Sequence, residues 1–178
     1  MANMTISEQG NKIADDFVSV AALAGLDIPR SDIEVAVLVT PHRPPSSLPS
    51  GKLGVYVFMF GNRCLKVGKA GPNSVARFCS QHYGTNAPST LAKSLLKSQS
   101  SVGMTSLDSS NIKTRICENT TRLNFLLASM HGVFALSLLE SFVQCRLRPE
   151  FEGFASQRLP SNPTVERDAR KSSARPSP

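Results

Sequence analysis

The stretch LGVYVFMFGNRCLKVGKAG, residues 53–71, decides how this chain is read. Val, Tyr and Phe crowd residues 53–60, and side chains of this kind fit a pleated, half-buried surface. Gly61-Asn62 supplies a turn, and residues 64–67 return as a second short strand, so the segment reads as a β-hairpin. Gly68 breaks the pattern. The following GKAG, residues 68–71, is not a phosphate-binding P-loop: six residues separate Gly61 from Gly68, and Ala70 stands where a hydroxyl is needed.

Working outward from the hairpin, residues 73–82 are predicted helical, with Asn73 or Ser74 as the N-cap. TLAKSLLK, residues 90–97, predicts a second helix. The Ser-rich residues 98–111 read as a mobile loop. RLNFLL, residues 122–127, suits a third strand, and residues 133–147 a long, mostly buried helix that ends before Pro149. The order β-β-α-α-β-α predicts an α/β (α+β) sandwich: a small three-stranded antiparallel sheet flanked by helices. Upstream, Ile13, Phe17, Val20, Ala21 and Ala24 recur at helical spacing, and Gly25 is a natural stop. Residues 33–40 (IEVAVLVT) read as a short strand or buried segment. PHRPPSSLPSG, residues 41–51, continues neither a helix nor a sheet ladder and marks a boundary. The expected division is therefore an N-terminal accessory region at 1–50, the main domain at 51–153, and a disordered basic tail at 154–178.

The net charge of +7 is unevenly placed. Residues 1–50 carry three basic against six acidic side chains, residues 51–153 twelve against five, and residues 154–178 five against two. A basic middle and tail suit a polyanion such as nucleic acid, although a basic soluble protein with no such partner has the same totals. Cys64, Cys79, Cys117 and Cys145 form no CxxC pair, which argues against structural zinc and for reduced thiols in a cytoplasmic protein. The first residues lack the basic start and apolar run of a signal peptide. Residues 123–143 carry too many polar groups, Glu140 among them, for a lipid-facing span, so no membrane association is expected.

Four elements in order resemble the GIY-YIG nuclease superfamily. Gly54-Val55-Tyr56 stands as the opening tripeptide on the first strand, and Lys66-Val67-Gly68 as the second tripeptide. Arg77 follows Gly68 by nine residues, on the first helix, and Glu140 in LLESFVQCRLRP precedes Pro149 by nine, on the last. The resemblance covers residues 53–153. It departs from the family at Lys66, where most members have Tyr, and at Glu152, where an Asn usually follows the Pro; some restriction-enzyme members also carry Lys in the second tripeptide.

The resemblance implies a divalent-metal-dependent endonuclease that hydrolyses phosphodiester bonds in nucleic acid, DNA above RNA. Glu140 would hold Mg²⁺ or Mn²⁺, with Tyr56, Lys66, Arg77 and His82 as catalytic residues and Lys69, Arg77, Gln81 and Arg122 as nucleic-acid contacts. A monomer and a homodimer are equally allowed. The chemistry of the residues is consistent with this. Mg²⁺ often takes only one or two carboxylates and keeps several waters, a Tyr hydroxyl relays a proton, and Arg bridges phosphate oxygens. Each residue also has a plainer role. Glu140 could pair with Arg77 or Arg122, Tyr56 could fill a sheet face, Lys66 could be an edge-strand Lys, Arg77 an exposed helix residue and His82 a surface or capping residue. A non-catalytic nucleic-acid-binding module of the same fold is the alternative reading.

Overall fold

The computed structural model describes residues 4–88 and 90–151. Its strands are β1 (Ile33–Leu38), β2 (Lys52–Phe60), β3 (Arg63–Ala70) and β4 (Thr121–Ala128). Its helices are α1 (Ile6–Leu23), α2 (Val75–Cys79), α3 (Leu91–Lys97), α4 (Gln99–Val102), α5 (Ile112–Asn119) and α6 (Gly132–Leu147). The strands form one sheet in the order β1-β4-β2-β3, with every neighbouring pair antiparallel.

The sheet has four strands, not the three expected. β1, from the region read as accessory, pairs along the outer edge of β4, with Ile33 opposite Leu127 and Leu38 opposite Arg122. An isolated apolar run does not reveal which strand it will pair with, which is why its place in the sheet was not legible. The tight hairpin at Gly61-Asn62 is as the sequence predicts, with Gly61 at a positive φ of 56°.

Alternation along β2 and β4 sends side chains into two cores. On one face Leu53, Val55 and Val57 join Leu123, Phe125 and Leu127 beneath Ile13, Phe17 and Ala21 of α1 and Leu136, Leu139 and Val143 of α6. On the other, Tyr56, Phe58, Leu65 and Leu126 pack against Phe78 of α2, Tyr83, Leu91 and Leu95 of α3, and Ile116 of α5. The result is a three-layer arrangement with the sheet in the middle. α1 begins on a capping box, in which Thr5 accepts from the Glu8 amide while Glu8 accepts from the Thr5 amide.

Three local expectations change. β3 does not break at Gly68 but runs on to Ala70. Residues 73–82 are not one helix: α2 stops at Cys79, and a separate 3₁₀ turn covers Gln81–Tyr83. Residues 98–111 are not a free loop. The Gln99 side chain brackets Leu107, donating to its carbonyl at 2.8 Å and accepting from its amide at 2.9 Å. Val102, Met104 and Leu107 are buried, and the Asp108 carboxylate accepts from the Ser110 and Asn111 amides. α5 was not anticipated either. α6 ends with Arg148 in the left-handed region just before Pro149, as the sequence predicts. No helix of the described residues is long and apolar enough to cross a membrane. Glu152 and the tail at 154–178 lie outside the described residues.

Candidate active site

Tyr56 lies in the middle of β2, opposite Gly68 on β3 and Asn124 on β4. Its ring rests on the β3 backbone. A Cβ added at Gly68 would stand 2.7 Å from Tyr56 Cζ and 2.8 Å from Cε2, closer than real Cβ contacts come. Gly54 yields in the same way to Phe78, whose Cε2 would lie 2.8 Å from an added Cβ. Both motif glycines are therefore packing requirements that seat Tyr56 and Phe78 against the sheet.

Two N–H groups reach the Tyr56 hydroxyl. Arg77 Nε, from α2, donates to it at 3.0 Å. His82 Nε2, from the 3₁₀ turn, lies 2.6 Å away. The Leu91 amide donates to His82 Nδ1 at 3.3 Å, so Nδ1 carries no proton and Nε2–H is the donor to Tyr56. Burial, together with the charges of Lys66, Arg77 and Arg122, pushes the His82 pKa down to about 3 and keeps the ring neutral. Burial likewise raises the Tyr56 pKa. Arg77, by hydrogen bond and charge, and Arg122, by charge, oppose that shift, while Glu140 adds to it.

Lys66 faces the same layer as Phe58, its partner on β2, and is 4% exposed although β3 is an edge strand. Its Nζ donates to the Phe151 carbonyl at 3.2 Å. The next residues, Gly68 and Lys69, point to opposite faces of β3. Lys69 turns to α6, where its Nζ donates to Ser137 Oγ at 3.0 Å and pairs with Glu140 Oε2 at 2.8 Å. Tyr56, laid over Gly68, and Glu140, paired with Lys69, therefore flank the edge strand from its two sides.

The structure thus joins Tyr56, Arg77 and His82 by direct contact and brings Glu140 and Lys69 to the same edge. Arg77 is exposed, Glu140 half-buried and Tyr56 fully buried, so Arg77 and Glu140 are the groups presented to solvent. The ion pair that Glu140 makes is with Lys69, a partner the sequence reading did not consider. Two expectations need correction. Gln81 is exposed on its own turn and does not share a helix side with Arg77, because α2 has already ended. Arg122 has no exposed surface for a nucleic acid to touch. It donates to Asn124 Oδ1, the Phe78 carbonyl and the Tyr83 hydroxyl, and is a core residue.

His82 is buried and does not take its plainer role as a surface or capping residue. Nothing local showed that a residue just past a short helix would be buried against Tyr56. Asn124 is a further neighbour of the site: the register puts it opposite Tyr56, and strand alternation alone does not say which face it takes.

Among the described residues no group of three or more His, Cys, Asp or Glu side chains is placed to hold a metal ion. Glu140 alone nevertheless fits Mg²⁺ or Mn²⁺ chemically, since one carboxylate with waters is an ordinary environment for Mg²⁺. Lys69 occupies one of its oxygens, so an incoming cation would compete with that ammonium. No family model matches the chain, and no curated protein and no solved structure matches it.

Proposed function

We propose that this protein is a divalent-metal-dependent endonuclease that hydrolyses phosphodiester bonds in nucleic acid, most readily DNA, at the Tyr56–Arg77–Glu140 edge of β3. The observation that carries the reading is the Tyr56 hydroxyl receiving N–H groups from both Arg77 and neutral His82. An oxygen so placed is stabilised as it gains negative charge, which is what a group accepting a proton from water requires. The four-element resemblance and the basic charge of residues 51–153 support the same reading.

In this mechanism Arg77 keeps its Nε on the Tyr56 hydroxyl and offers its terminal guanidinium nitrogens to the non-bridging oxygens of a phosphate. A water attacks phosphorus and passes its proton to Tyr56 Oη as Tyr56 releases its own to solvent. The bond to the leaving oxygen breaks, and that oxygen takes a proton from solvent. His82 Nε2–H holds Tyr56 Oη in place throughout, and Lys66 adds positive charge to the same layer. A divalent cation at Glu140, when bound, would supply charge stabilisation at the phosphate.

The alternative is a nucleic-acid-binding module without chemistry. It is favoured by the complete burial of Tyr56 and by the Lys69–Glu140 pair. Incubation of plasmid and of single- and double-stranded oligonucleotides with Mg²⁺, Mn²⁺ or chelator separates the two. Metal-dependent cutting supports the nuclease. Salt-sensitive binding with no cutting under any metal supports the module and overturns the nuclease reading.

A further inference from the structure

Among the described residues, Arg122 is a buried cation with no carboxylate among its partners. It is 0% exposed, and among the described residues its hydrogen-bond partners are all neutral: Asn124 Oδ1 at 2.8 Å, the Phe78 carbonyl at 2.6 Å and the Tyr83 hydroxyl at 3.3 Å. Its guanidinium carbon sits over three rings, 5.3 Å from the centroid of Tyr56, 5.2 Å from Phe58 and 4.6 Å from Phe78. Guanidinium does not shed its proton inside a protein, so this charge is permanent. A well-packed apolar side chain would fill such a place at no loss of stability and often with a gain. The charge therefore needs another reason, and the ring it faces provides one.

The clamp on Arg122 extends past its own contacts. The Thr120 carbonyl accepts from His42 Nδ1 at 2.8 Å, so Nε2 is free to accept the Tyr83 hydroxyl proton, also at 2.8 Å. Tyr83 in turn accepts from Arg122. The chain Arg122–Tyr83–His42–Thr120 starts and ends on or beside β4 and ties in the Pro-rich connection at 41–51. A guanidinium held from so many sides keeps a fixed position relative to Tyr56.

We propose that Arg122 is a positioning residue for Tyr56: it fixes the phenol ring from behind and sets a permanent positive charge against it, favouring the state in which Tyr56 Oη is negative. The inference deepens the nuclease reading and rests on it for its link to turnover. Its structural half stands apart from that reading. Among the described residues the charges acting on Tyr56 are Arg77 from α2, Arg122 from β4 and Glu140 from α6, with neutral His82 of the 3₁₀ turn hydrogen-bonded to it and Lys66 of β3 acting on His82. Arg122 is the cation stacked on its ring.

The chain has two Tyr and no Trp, so carbon NMR of ring-labelled tyrosine gives two signals, assigned by Tyr56→Phe and Tyr83→Phe. In full-length Arg122→Met the titration midpoint of Tyr56 is expected to rise by about one pH unit, the scale of a single nearby charge. Arg122→Lys keeps the charge and is expected to hold the midpoint near wild type. It should still lower kcat with KM within about twofold, on the order of 100-fold for a reacting group displaced by an ångström. An unchanged Tyr56 midpoint in folded Arg122→Met overturns the proposal and leaves the nuclease reading standing. Should Arg122→Met not fold, Arg122→Lys decides: Tyr56 signals and kcat both at wild-type values overturn the positioning role. Absence of cutting by wild type defeats the nuclease reading, and the tyrosine titration still reports on Arg122.

Discussion

At Gly68 a single hydrogen in place of a side chain decides where Tyr56 lies. Gly68→Ala would push a methyl group into the phenol ring, which Phe78, His82 and Arg122 pack against and keep from retreating. The expected result is a loss of about 1–3 kcal/mol of stability and a rate on the order of 100-fold lower with binding retained, read by melting and single-turnover cleavage. His82 makes a prediction in pH. Its imidazole titrates near 6.5 when unfolded and at about 3 in the folded protein. Between those values the unfolded chain holds the extra proton, so acid favours unfolding. This contribution to stability is complete above the unfolded value and is lost as pH falls from about 6.5 towards 3, by at most about 5 kcal/mol over the window. The burial-lowered pKa of His42 acts in the same direction. Thermal melts between neutral and acid pH should show a steep acid limb that His82→Gln flattens. An unchanged slope would contradict the neutral, buried imidazole.

At the scale of elements, β3 and α6 meet through Lys69, Ser137 and Glu140. The Lys69–Glu140 pair is partly exposed, so Lys69→Gln should change stability by less than about 1 kcal/mol. The same substitution frees the Glu140 carboxylate, and the Mn²⁺ concentration giving half-maximal cleavage should fall several-fold. A rise would show that Lys69 helps the cation rather than competing with it. The hairpin and α6 were legible because each is coded locally, by alternation around Gly61-Asn62 and by a long apolar run ending at Pro149. The site was legible only in part. Tyr56, Arg77 and Glu140 stood out by spacing. The burial of His82, the inward turn of Arg122 and the Lys69–Glu140 pair depend on register and helix breaks, which local sequence does not encode. α2 illustrates this: residues 73–82 carry helical residues throughout, yet the chain breaks at Ser80 and tucks His82 and Tyr83 into the core.

For the whole molecule, residues 1–50 are part of the packing. β1 covers the edge of β4, and α1 buries Ile13, Phe17 and Ala21 in the core shared with α6. Removing residues 1–50 would expose both the strand edge and that apolar face, so the shortened chain is expected to aggregate. A monomeric fragment with native-like amide dispersion would show that the first fifty residues are dispensable. The uneven charge makes a second statement at this scale, since nucleic-acid binding by a basic middle section must weaken as salt rises. The most direct measurement of the central claim is single-turnover cleavage of one duplex by wild type, Glu140→Gln and Tyr56→Phe, each checked for folding, with Mg²⁺ present. Metal-dependent cutting by wild type, abolished in Glu140→Gln and reduced on the order of 100-fold or more in Tyr56→Phe, is the predicted result. Equal cutting by all three folded proteins would place the chemistry elsewhere and contradict it.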